Sequence, residues 1–533
     1  MSTPAGASRY DCIVIGGGHN GLVCAAYLAR GGRKVLVLEA ASTVGGAAVT
    51  REFAPGFQVS AAAHLLHSMS ASIIEDLQLS SHGLSMVASQ MPTTALGDDG
   101  TALTIRAGRL ESGAGAGCAS ADIEAYPGYA ALMDRLADAL HPVLGTVPPR
   151  LGTDRWVDRR TLMQLGWRIR RLGRHDMREL LRIGGMAVHD LLKDHFQTPL
   201  LQGALGFDAV LGTNFGPRSP GSVFTLLYRL AGAAGARSKG SGSDTLMQPR
   251  GGLGALTAAL AKSAQAAGAG IRTGSPVQSI VVRDYRAAGV VLESGETISA
   301  DAVISNADPQ TTFLRLLGAE HLDAGFVRRV AHLRNRGLAA KLHLALSDLP
   351  KFTGVKPEAL AGRVLITPTL EYLERAFNHS KYGEYSSAPA LEITVPTVND
   401  PTLAPAGRHV LSAVVQYAPY GLAAGWDSGR QSLTALVLQM LERYAPGIGA
   451  TVTASQLLAP PDIEREFRIT GGHWHHAELA LDQFFLVRPV PGAAQYAAPL
   501  EGLYLCGAGC HPGGGVMGAA GRNAARQVLE RAA

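Results

Sequence analysis

A glycine-rich turn near the amino terminus restricts the possible folds more than any other stretch. Residues Tyr10–Ile15 form a mostly apolar run of the buried-strand type. Gly16, Gly18 and Gly21 follow it in the spacing G-x-G-x-x-G. The first glycine permits a tight turn, the second leaves room for a pyrophosphate, and the third lets the next helix lie close to the strand. Because the N-terminus of that helix offers unpaired N–H groups and a positive dipole end, the stretch predicts a dinucleotide-binding unit.

The residues after this unit indicate which dinucleotide is bound. Lys34–Leu38 form a second strand, and Glu39 closes it where a ribose hydroxyl needs an acceptor. Gly45 and Gly46 then place a second glycine turn beside the nucleotide. This pattern is typical of FAD sites rather than NAD sites, so the sequence predicts FAD as the cofactor.

The carboxyl-terminal stretch Leu503–Gly521 completes the predicted flavin site. It reads as an apolar strand, a glycine-rich loop and a small-residue helix that begins at about Val516. A helix start at this position would direct its N–H groups at flavin N1 and O2, where negative charge appears on reduction.

Five stretches, in order along nearly the whole chain, resemble the phytoene desaturase-like flavoproteins, within the wider group that includes amine oxidases. The resemblance is to the branch of bacterial carotene ketolases and the pyridine nucleotide-disulphide oxidoreductase domain proteins. Two departures occur: Cys510 replaces the usual Thr or Ser, and His473 and His475 lie in a segment that more often reads GGNIFHG, with His476 matching the family histidine. The stretches are IGGGHNGLVCAAYLA, PRGGLGALTAALA (249–261), SADAVISNADP (299–309), TGGHWHHAELALDQFF (470–485) and GAGCHPGGGVMGAAGRNAA (507–525).

The motifs and the resemblance together imply an α/β fold with three parts. A Rossmann-type FAD-binding domain of the glutathione reductase or amine oxidase kind is expected from residues 8–90, 246–312 and 498–533. A mixed-sheet substrate domain is expected from 91–128 and 313–497, and a helical subdomain from 129–245. Within them, 101–128 is predicted to be an irregular loop around the sequence GAGAG. The predicted cofactor-binding residues are Gly16, Gly18, Gly21, Glu39, Gly45, Gly46, Arg250, Val277, Gly507, Gly509, Gly515, Val516 and Met517.

Histidines are the candidates for proton handling, because imidazole titrates near neutrality. The predicted catalytic residues are His476, His473 and His64, and His67 lies in the same segment as His64. The alternative for His64 is a loop histidine that caps the next turn. No acid or cysteine beside the 473–476 cluster completes a ligand set, so no metal site is predicted.

The favoured activity is dehydrogenation (desaturation) of an apolar, isoprenoid- or carotenoid-like substrate by hydride transfer to flavin N5. Two alternatives stay open: an oxygen-dependent oxidase, either ketolase-like or amine-oxidising, and a flavoprotein-like scaffold that acts through partners. No second strand–glycine turn–helix unit follows Glu39. The expected electron acceptor is therefore dioxygen or a quinone rather than NAD(P).

Composition limits the number of domains, the kinds of partner and the cellular location that can be expected. A chain of 533 residues predicts two or three domains. The net charge of +5 without a nucleic-acid motif argues against nucleic acid as a partner. An odd number of cysteines, five, indicates a reducing compartment, and no signal-peptide core precedes the first strand, so a cytoplasmic location is expected. The oligomeric state is left open.

Membrane contact depends on one basic segment. The longest apolar stretch, Val223–Ala236, is interrupted by Arg229 and is shorter than the ~20 residues of a spanning helix. By contrast, nine arginines between Arg155 and Arg182 alternate with Trp156, Trp167 and aliphatic residues. This composition suits peripheral contact with a membrane surface or with a partner's acidic face, and the alternative is a solvated helix pair whose arginines meet local acids.

Overall fold

In a computed structural model of the chain, the structure describes residues 9–112, 117–237 and 245–531. The strands are β1 (Tyr10–Ile15), β2 (Val35–Leu38), β3 (Thr50–Ala54), β4 (Phe57–Ser60), β5 (Met86–Ala88), β6 (Thr93–Leu96), β7 (Ala102–Arg106), β8 (Arg109–Ser112), β9 (Gln248–Pro249), β10 (Gly270–Arg272), β11 (Val277–Arg283), β12 (Arg286–Leu292), β13 (Thr297–Ser305), β14 (Ala339–Leu346), β15 (Arg363–Ile366), β16 (Leu391–Thr394), β17 (His409–Gln416), β18 (Val452–Leu458) and β19 (Leu503–Leu505). The helices are α1 (His19–Arg30), α2 (Ala71–Asp76), α3 (Ser120–Leu144), α4 (Trp156–Arg171), α5 (Gly173–Ile183), α6 (Val188–His195), α7 (Pro199–Val210), α8 (Ser222–Ala236), α9 (Leu253–Ala266), α10 (Ala324–Ala331), α11 (Leu370–Ser380), α12 (Trp426–Tyr444), α13 (Ile448–Thr451), α14 (Pro460–Phe467) and α15 (Ala519–Arg531).

The first sheet is the expected dinucleotide-binding sheet, with the order β10-β2-β1-β13-β12-β11 and β19 beside β13. Strand β1 lies between β2 and β13 and is parallel to both, with Ile13 opposite Leu36 and Val303. Because both faces of a parallel sheet are covered, β1 needs a continuous apolar run rather than an alternating one. The strands β1, β2 and β13 end at one edge, where ligands bind in folds of this kind.

Small residues allow the covering helices to approach this sheet closely. Helix α1 packs against α9 and α15. A Cβ atom added at Gly21 would lie 2.2 Å from the carbonyl oxygen of Gly16, and one at Gly521 would lie 2.2 Å from that of Asn20. These contacts leave no space for a methyl group, so glycine is required at both positions.

The second sheet has the order β18-β14-β17-β16-β15-β6-β7-β8 and is antiparallel except where β6 pairs with β15. Its strands β6–β8 correct one prediction from the sequence, because residues 101–128 are not an irregular loop. They contain the hairpin β7–β8, turned at Ala107 and Gly108, and the start of α3. Pairing of β7 with β6 stabilises a strand too short to be recognised from its own pattern. Residues 113–116 of the sequence GAGAG lie outside the described residues.

Helices α3–α8 form a layer over one end of the second sheet. Leu136, Leu192, Phe207 and Leu226 from four of these helices share a core with Leu365 of β15. Together the two sheets and the helical layer confirm the predicted α/β fold class. Across the described ranges, no helix is long and apolar enough to cross a bilayer.

Candidate functional site

A cavity of about 700 Å³ joins the first sheet to the second sheet and the helical layer. One end is lined by the loops that follow β1, β2 and β13. The other end is lined by α7, α8, β16 and β17, and by the segment that contains Trp474 and His476. The predicted residues Gly16, Gly18, Glu39, Gly45, Gly46, Val277, Gly515, Val516, Met517, His64 and His476 line it.

The glycine turn leaves the N-terminus of α1 open to the cavity. No side chain caps α1, and its first turn contains no acid. Gly16 has a φ of 94°, a conformation that glycine adopts without strain. Asn306, directly after β13, donates its side-chain amide to the carbonyl oxygen of Gly16 at 3.3 Å. The uncapped N–H groups and the helix dipole together form a site that favours phosphate.

Glu39 connects the two glycine turns. Its carboxylate accepts hydrogen bonds from the amides of Gly17, at 2.6 Å, and Ala41, at 2.8 Å. The amide of Gly45 donates in turn to the carbonyl oxygen of Gly17 at 2.9 Å. Since Gly45 has a φ of 131°, the second turn also depends on glycine. The carboxylate of Glu39 therefore connects the loop after β1 to the loop after β2 at the cavity wall.

The carboxyl-terminal loop contacts the cavity before its helix starts. Helix α15 begins at Ala519 rather than at the predicted Val516. Val516 and Gly518 have φ values of 57° and 73°, which are incompatible with an α-helix. Tyr228 of α8 donates a hydrogen bond to the carbonyl oxygen of Gly514 and so attaches the helical layer to this loop.

Four of the predicted cofactor-binding residues do not line the cavity. Gly21 maintains the contact between α1 and the first turn, as described above. Arg250 is exposed, and its amide donates to Ser85. A Cβ atom at Gly507 would lie 2.6 Å from the carbonyl oxygen of Asn306, and one at Gly509 would lie 2.5 Å from Pro309 Cδ. These two glycines therefore pack the carboxyl-terminal loop against the end of β13.

The three candidate catalytic histidines occupy different environments. His476 lines the cavity, and its Nδ1 has no hydrogen-bond partner among the described residues. His64 also lines the cavity and contacts Glu392 through Nε2, at 2.8 Å. His473 is buried behind the cavity wall, where its Nε2 lies 3.5 Å from Glu478 Oε2. Geometry therefore favours His476 and His64 over His473 for contact with a bound molecule.

Burial keeps the cavity histidines neutral at pH 7. Desolvation lowers the pKa of His64 and of His476 to about 4. The same cause lowers the pKa of His67 to about 3. Since neutral His64 donates from Nε2 to Glu392, its Nδ1 is the acceptor for Lys341, and burial lowers the pKa of that lysine well below its usual value.

Charged side chains form a connected network at the end of the cavity away from the dinucleotide loops. Arg363 of β15 makes a bidentate pair with Asp208 of α7, at 2.7 and 3.0 Å, and bonds to Glu392 of β16 at 2.9 Å. Arg229 of α8 lies 3.4 Å from Asp208. Glu392 continues the network to His64. The arginine partners keep the pKa of both carboxyl groups below their usual values.

Several cavity residues were not predicted from the sequence. His19 Nε2, Ser68 Oγ and His475 Nδ1 are buried without a hydrogen-bond partner in the described part of the chain, as is His476 Nδ1. Because buried polar atoms in native proteins nearly always have a partner, these atoms are positions where a bound molecule or an ordered water would supply one. The unpredicted cavity and network residues are His19, Ser68, Asp208, Arg229, Asn306, Lys341, Arg363, Glu392, Trp474 and His475.

Taken together, the parallel sheet, the paired glycine turns and the cavity define a protein of the dinucleotide-binding α/β class. Residues 21–529 match the family model of flavin-containing amine oxidoreductases, and the chain belongs to this family. FAD is therefore its cofactor.

Individual relatives agree with this family. The chain is 38% identical to mouse pyridine nucleotide-disulfide oxidoreductase domain-containing protein 2, with 98% of this chain and 93% of the relative covered. It is 27% identical to one component of the limonene dehydrogenase of Castellaniella defragrans, covering 98% and 94%. It is 30% identical to a neurosporene-forming phytoene desaturase of Cereibacter sphaeroides, covering 51% of each chain. The solved structure of cyclohexylamine oxidase from Brevibacterium oxydans has a TM-score of 0.61 at 16% identity, covering 98% and 100%, and supports the fold alone.

Proposed function

We propose that the chain dehydrogenates an apolar, isoprenoid-like substrate by hydride transfer to flavin N5. The observation that best supports this proposal is the continuous cavity, which leads from the glycine turns to a chamber lined by Leu65, Leu211, Val414 and Leu479. Aliphatic walls of this kind bind hydrocarbon chains through the hydrophobic effect. The names of two relatives, limonene dehydrogenase and phytoene desaturase, point to the same chemistry.

The residues at the other end of the cavity fit FAD. The uncapped start of α1 with Gly16 and Gly18 would hold the pyrophosphate, and Glu39 would accept from a ribose hydroxyl. Val277, which the sequence predicts as a cofactor-binding residue, begins β11 at the cavity wall. The loop of Gly515, with Val516 and Met517, would lie against the flavin ring.

Desaturation removes two hydrogens from neighbouring carbons, one as hydride and one as a proton. FAD, when bound, supplies the hydride acceptor at N5. The proton has to be taken by the chain or by water. His476 is the first candidate because it is neutral and its Nδ1 has no partner among the described residues, whereas both ring nitrogens of His64 are engaged.

Electrons leave the reduced flavin to dioxygen or a quinone under this proposal. In the described ranges, the first sheet contains two glycine-rich turns that lead into a helix, at Gly16–Gly21 and after β19, and both are assigned to FAD; the second sheet is mostly antiparallel. Neither arrangement offers NAD(P) a separate phosphate site. Stopped-flow mixing of substrate-reduced enzyme with oxygen, a soluble quinone and NAD(P)⁺ in turn tests this; useful reoxidation by NAD(P)⁺ alone would contradict it.

Helix α4 supports the proposal of peripheral membrane contact. Of its residues, only Asp158 is buried. Trp156, Met163 and Trp167 occur at i, i+7 and i+11, so they share one helix face, and they are 66%, 55% and 64% exposed. Large exposed apolar side chains on a single helix face indicate a surface that contacts a membrane or a protein partner.

Arginines border this face on both sides. Arg159 and Arg170 lie on one side and Arg160 and Arg171 on the other, by helical periodicity. Among these, Arg159 alone pairs with an acid of the described chain, Asp154. The alternative, that local acids neutralise the arginines, is therefore not favoured. A tryptophan-bearing face bordered by cations suits an anionic lipid surface.

The test of the main proposal is anaerobic reduction of the purified holoenzyme. We expect a yellow protein with a flavin band near ~450 nm that bleaches with isoprenoid chains, either hydrocarbons or oxygenated derivatives. Bleaching by alkyl amines alone would favour the amine-oxidising alternative. A protein that purifies without FAD and binds none when FAD is added would contradict the proposed enzymatic activity.

A further inference from the structure

At the cavity end that contains the charged network, Arg229 has an incomplete set of partners among the described residues. Arg229 is 17% exposed, lines the cavity, and makes a single ion pair in the described part of the chain, from Nε to Asp208 at 3.4 Å. A guanidinium has five N–H donors. Its two terminal nitrogens therefore have no acceptor among the described residues, although the side chain is largely removed from water.

Each carboxylate oxygen of the network, by contrast, already accepts a hydrogen bond. Both oxygens of Asp208 accept from Arg363. Glu392 accepts from His64 at one oxygen and from Arg363 at the other. A substrate ammonium would have to share these oxygens with Arg363 or His64, because each oxygen already has a donor.

We propose that Arg229 binds an oxygen acceptor, a carbonyl or a carboxylate, at one end of an otherwise apolar substrate. The inference rests on the proposed function and specifies its substrate class: an isoprenoid-like chain with an oxygenated end rather than a pure hydrocarbon or an amine. A hydrogen-bond acceptor supplied by the substrate completes the partners of a guanidinium that is costly to leave unpaired. A site built in this way discriminates against analogues that lack the group.

The position of Arg229 explains how the oxygenated end would orient the chain. Arg229 lies on α8, next to Tyr228, which bonds to the loop at Gly514. The aliphatic wall of Leu211 and Val414 belongs to the same chamber. Anchoring one end at Arg229 therefore fixes which carbon of the chain reaches the flavin side of the cavity.

The experiment compares ligands that share one chain and differ in the end group: farnesene, methyl farnesoate, farnesoate and farnesylamine. Binding to the FAD-loaded enzyme is measured from perturbation of the flavin spectrum and from tryptophan fluorescence. We expect methyl farnesoate or farnesoate to bind at least tenfold tighter than farnesene, because a hydrogen bond to a charged group is worth that factor or more. Which of the two binds more tightly identifies the acceptor as a carbonyl or a carboxylate.

The Arg229→Met variant should lose this preference while it retains FAD. Arg229→Lys should retain part of it, since a lysine keeps the charge but not the planar fork. Arg218→Met is the matched control, because Arg218 is exposed and does not line the cavity, and it should keep the preference in full.

Three results would overturn the inference: equal binding of farnesene and the oxygenated ligands, tightest binding of farnesylamine, or an unchanged preference in Arg229→Met. The comparison of ligands on the unaltered enzyme decides even if Arg229→Met does not fold. A holoenzyme that is bleached by isoprenoid chains but shows no end-group preference would refute this inference and leave the proposed function in place.

Discussion

Replacing Gly21 by alanine adds one methyl group at the closest contact between α1 and the first glycine turn. The new Cβ atom would lie 2.2 Å from the carbonyl oxygen of Gly16. Since ordinary C···O contacts begin near about 3.3 Å, α1 has to move by roughly 1 Å. Overpacking of this kind costs about 1–3 kcal/mol of folding stability.

The same displacement would move the amides at the start of α1 away from the pyrophosphate of bound FAD. A hydrogen bond of ~2.9 Å that lengthens by about 1 Å leaves the bonding range. Each bond to a charged phosphate contributes about 1.5–3 kcal/mol, so loss of two weakens FAD binding by roughly 10²- to 10⁴-fold. We expect Gly21→Ala to elute from gel filtration depleted of FAD, and Gly21→Val to retain none.

The assay is the ratio of flavin to protein absorbance after gel filtration, together with thermal unfolding. Gly128→Ala is the matched control: Gly128 lies inside α3, and an added Cβ atom meets nothing within 4 Å. It should keep its FAD and gain up to about 1 kcal/mol from the better helix propensity of alanine. A Gly21→Ala protein with stoichiometric FAD and an unchanged melting temperature would refute the reasoning.

Three further predictions concern charge. Changing Arg160 and Arg170 of α4 to glutamine should release the protein from anionic vesicles in co-sedimentation, because each charge contributes about 1 kcal/mol to the free energy of membrane binding. The same change of two arginines on α10 should leave vesicle binding intact. Equal binding of both variants would contradict the proposal that α4 contacts lipid. Arg363→Met should lower the unfolding free energy by about 3–5 kcal/mol, because the buried carboxylate of Glu392 and the half-buried carboxylate of Asp208 lose their shared arginine, and thermal or urea unfolding that matches the unaltered protein would disprove this. Finally, the free energy of unfolding should fall as the pH drops from 6.5 towards 4, because His64 takes up a proton in the unfolded state but stays neutral when buried, where its pKa is lowered to about 4. The His64→Gln variant should show a weaker dependence of stability on pH. A pH profile of unfolding identical to that of the unaltered protein would contradict this assignment.

The dinucleotide half of the fold was predictable because its signals are local. The apolar run of β1, the glycine spacing and Glu39 follow one another within one short segment, and each has a distinct steric role. The start of α15 was predicted less accurately, at Val516 instead of Ala519. Val516 has a positive φ imposed by the packed loop, and nothing in a run of small residues reveals such a conformation.

The charged network could not be predicted in the same way because its members come from separate segments. Asp208, Arg363 and Glu392 lie on one helix and two strands that meet only in the folded chain. A partial signal did exist. Lys341 and Glu392 are single charged residues within apolar strands, a setting in which a charge is rarely buried without a partner. Their pairing, however, required the three-dimensional structure.

The two neighbouring residues of α8 that line the cavity, Tyr228 and Arg229, restrict which sequence changes this helix can accept. Tyr228 bonds to Gly514 and Arg229 lines the chamber, and neighbouring side chains on a helix point about 100° apart. Inserting or deleting one residue earlier in α8 would turn both side chains by that angle and detach them together. A point substitution in α8 changes one side chain of the chamber, whereas an insertion or deletion in α8 displaces several side chains at once. We therefore expect variation in substrate choice among relatives to arise here by replacement of residues and not by insertion.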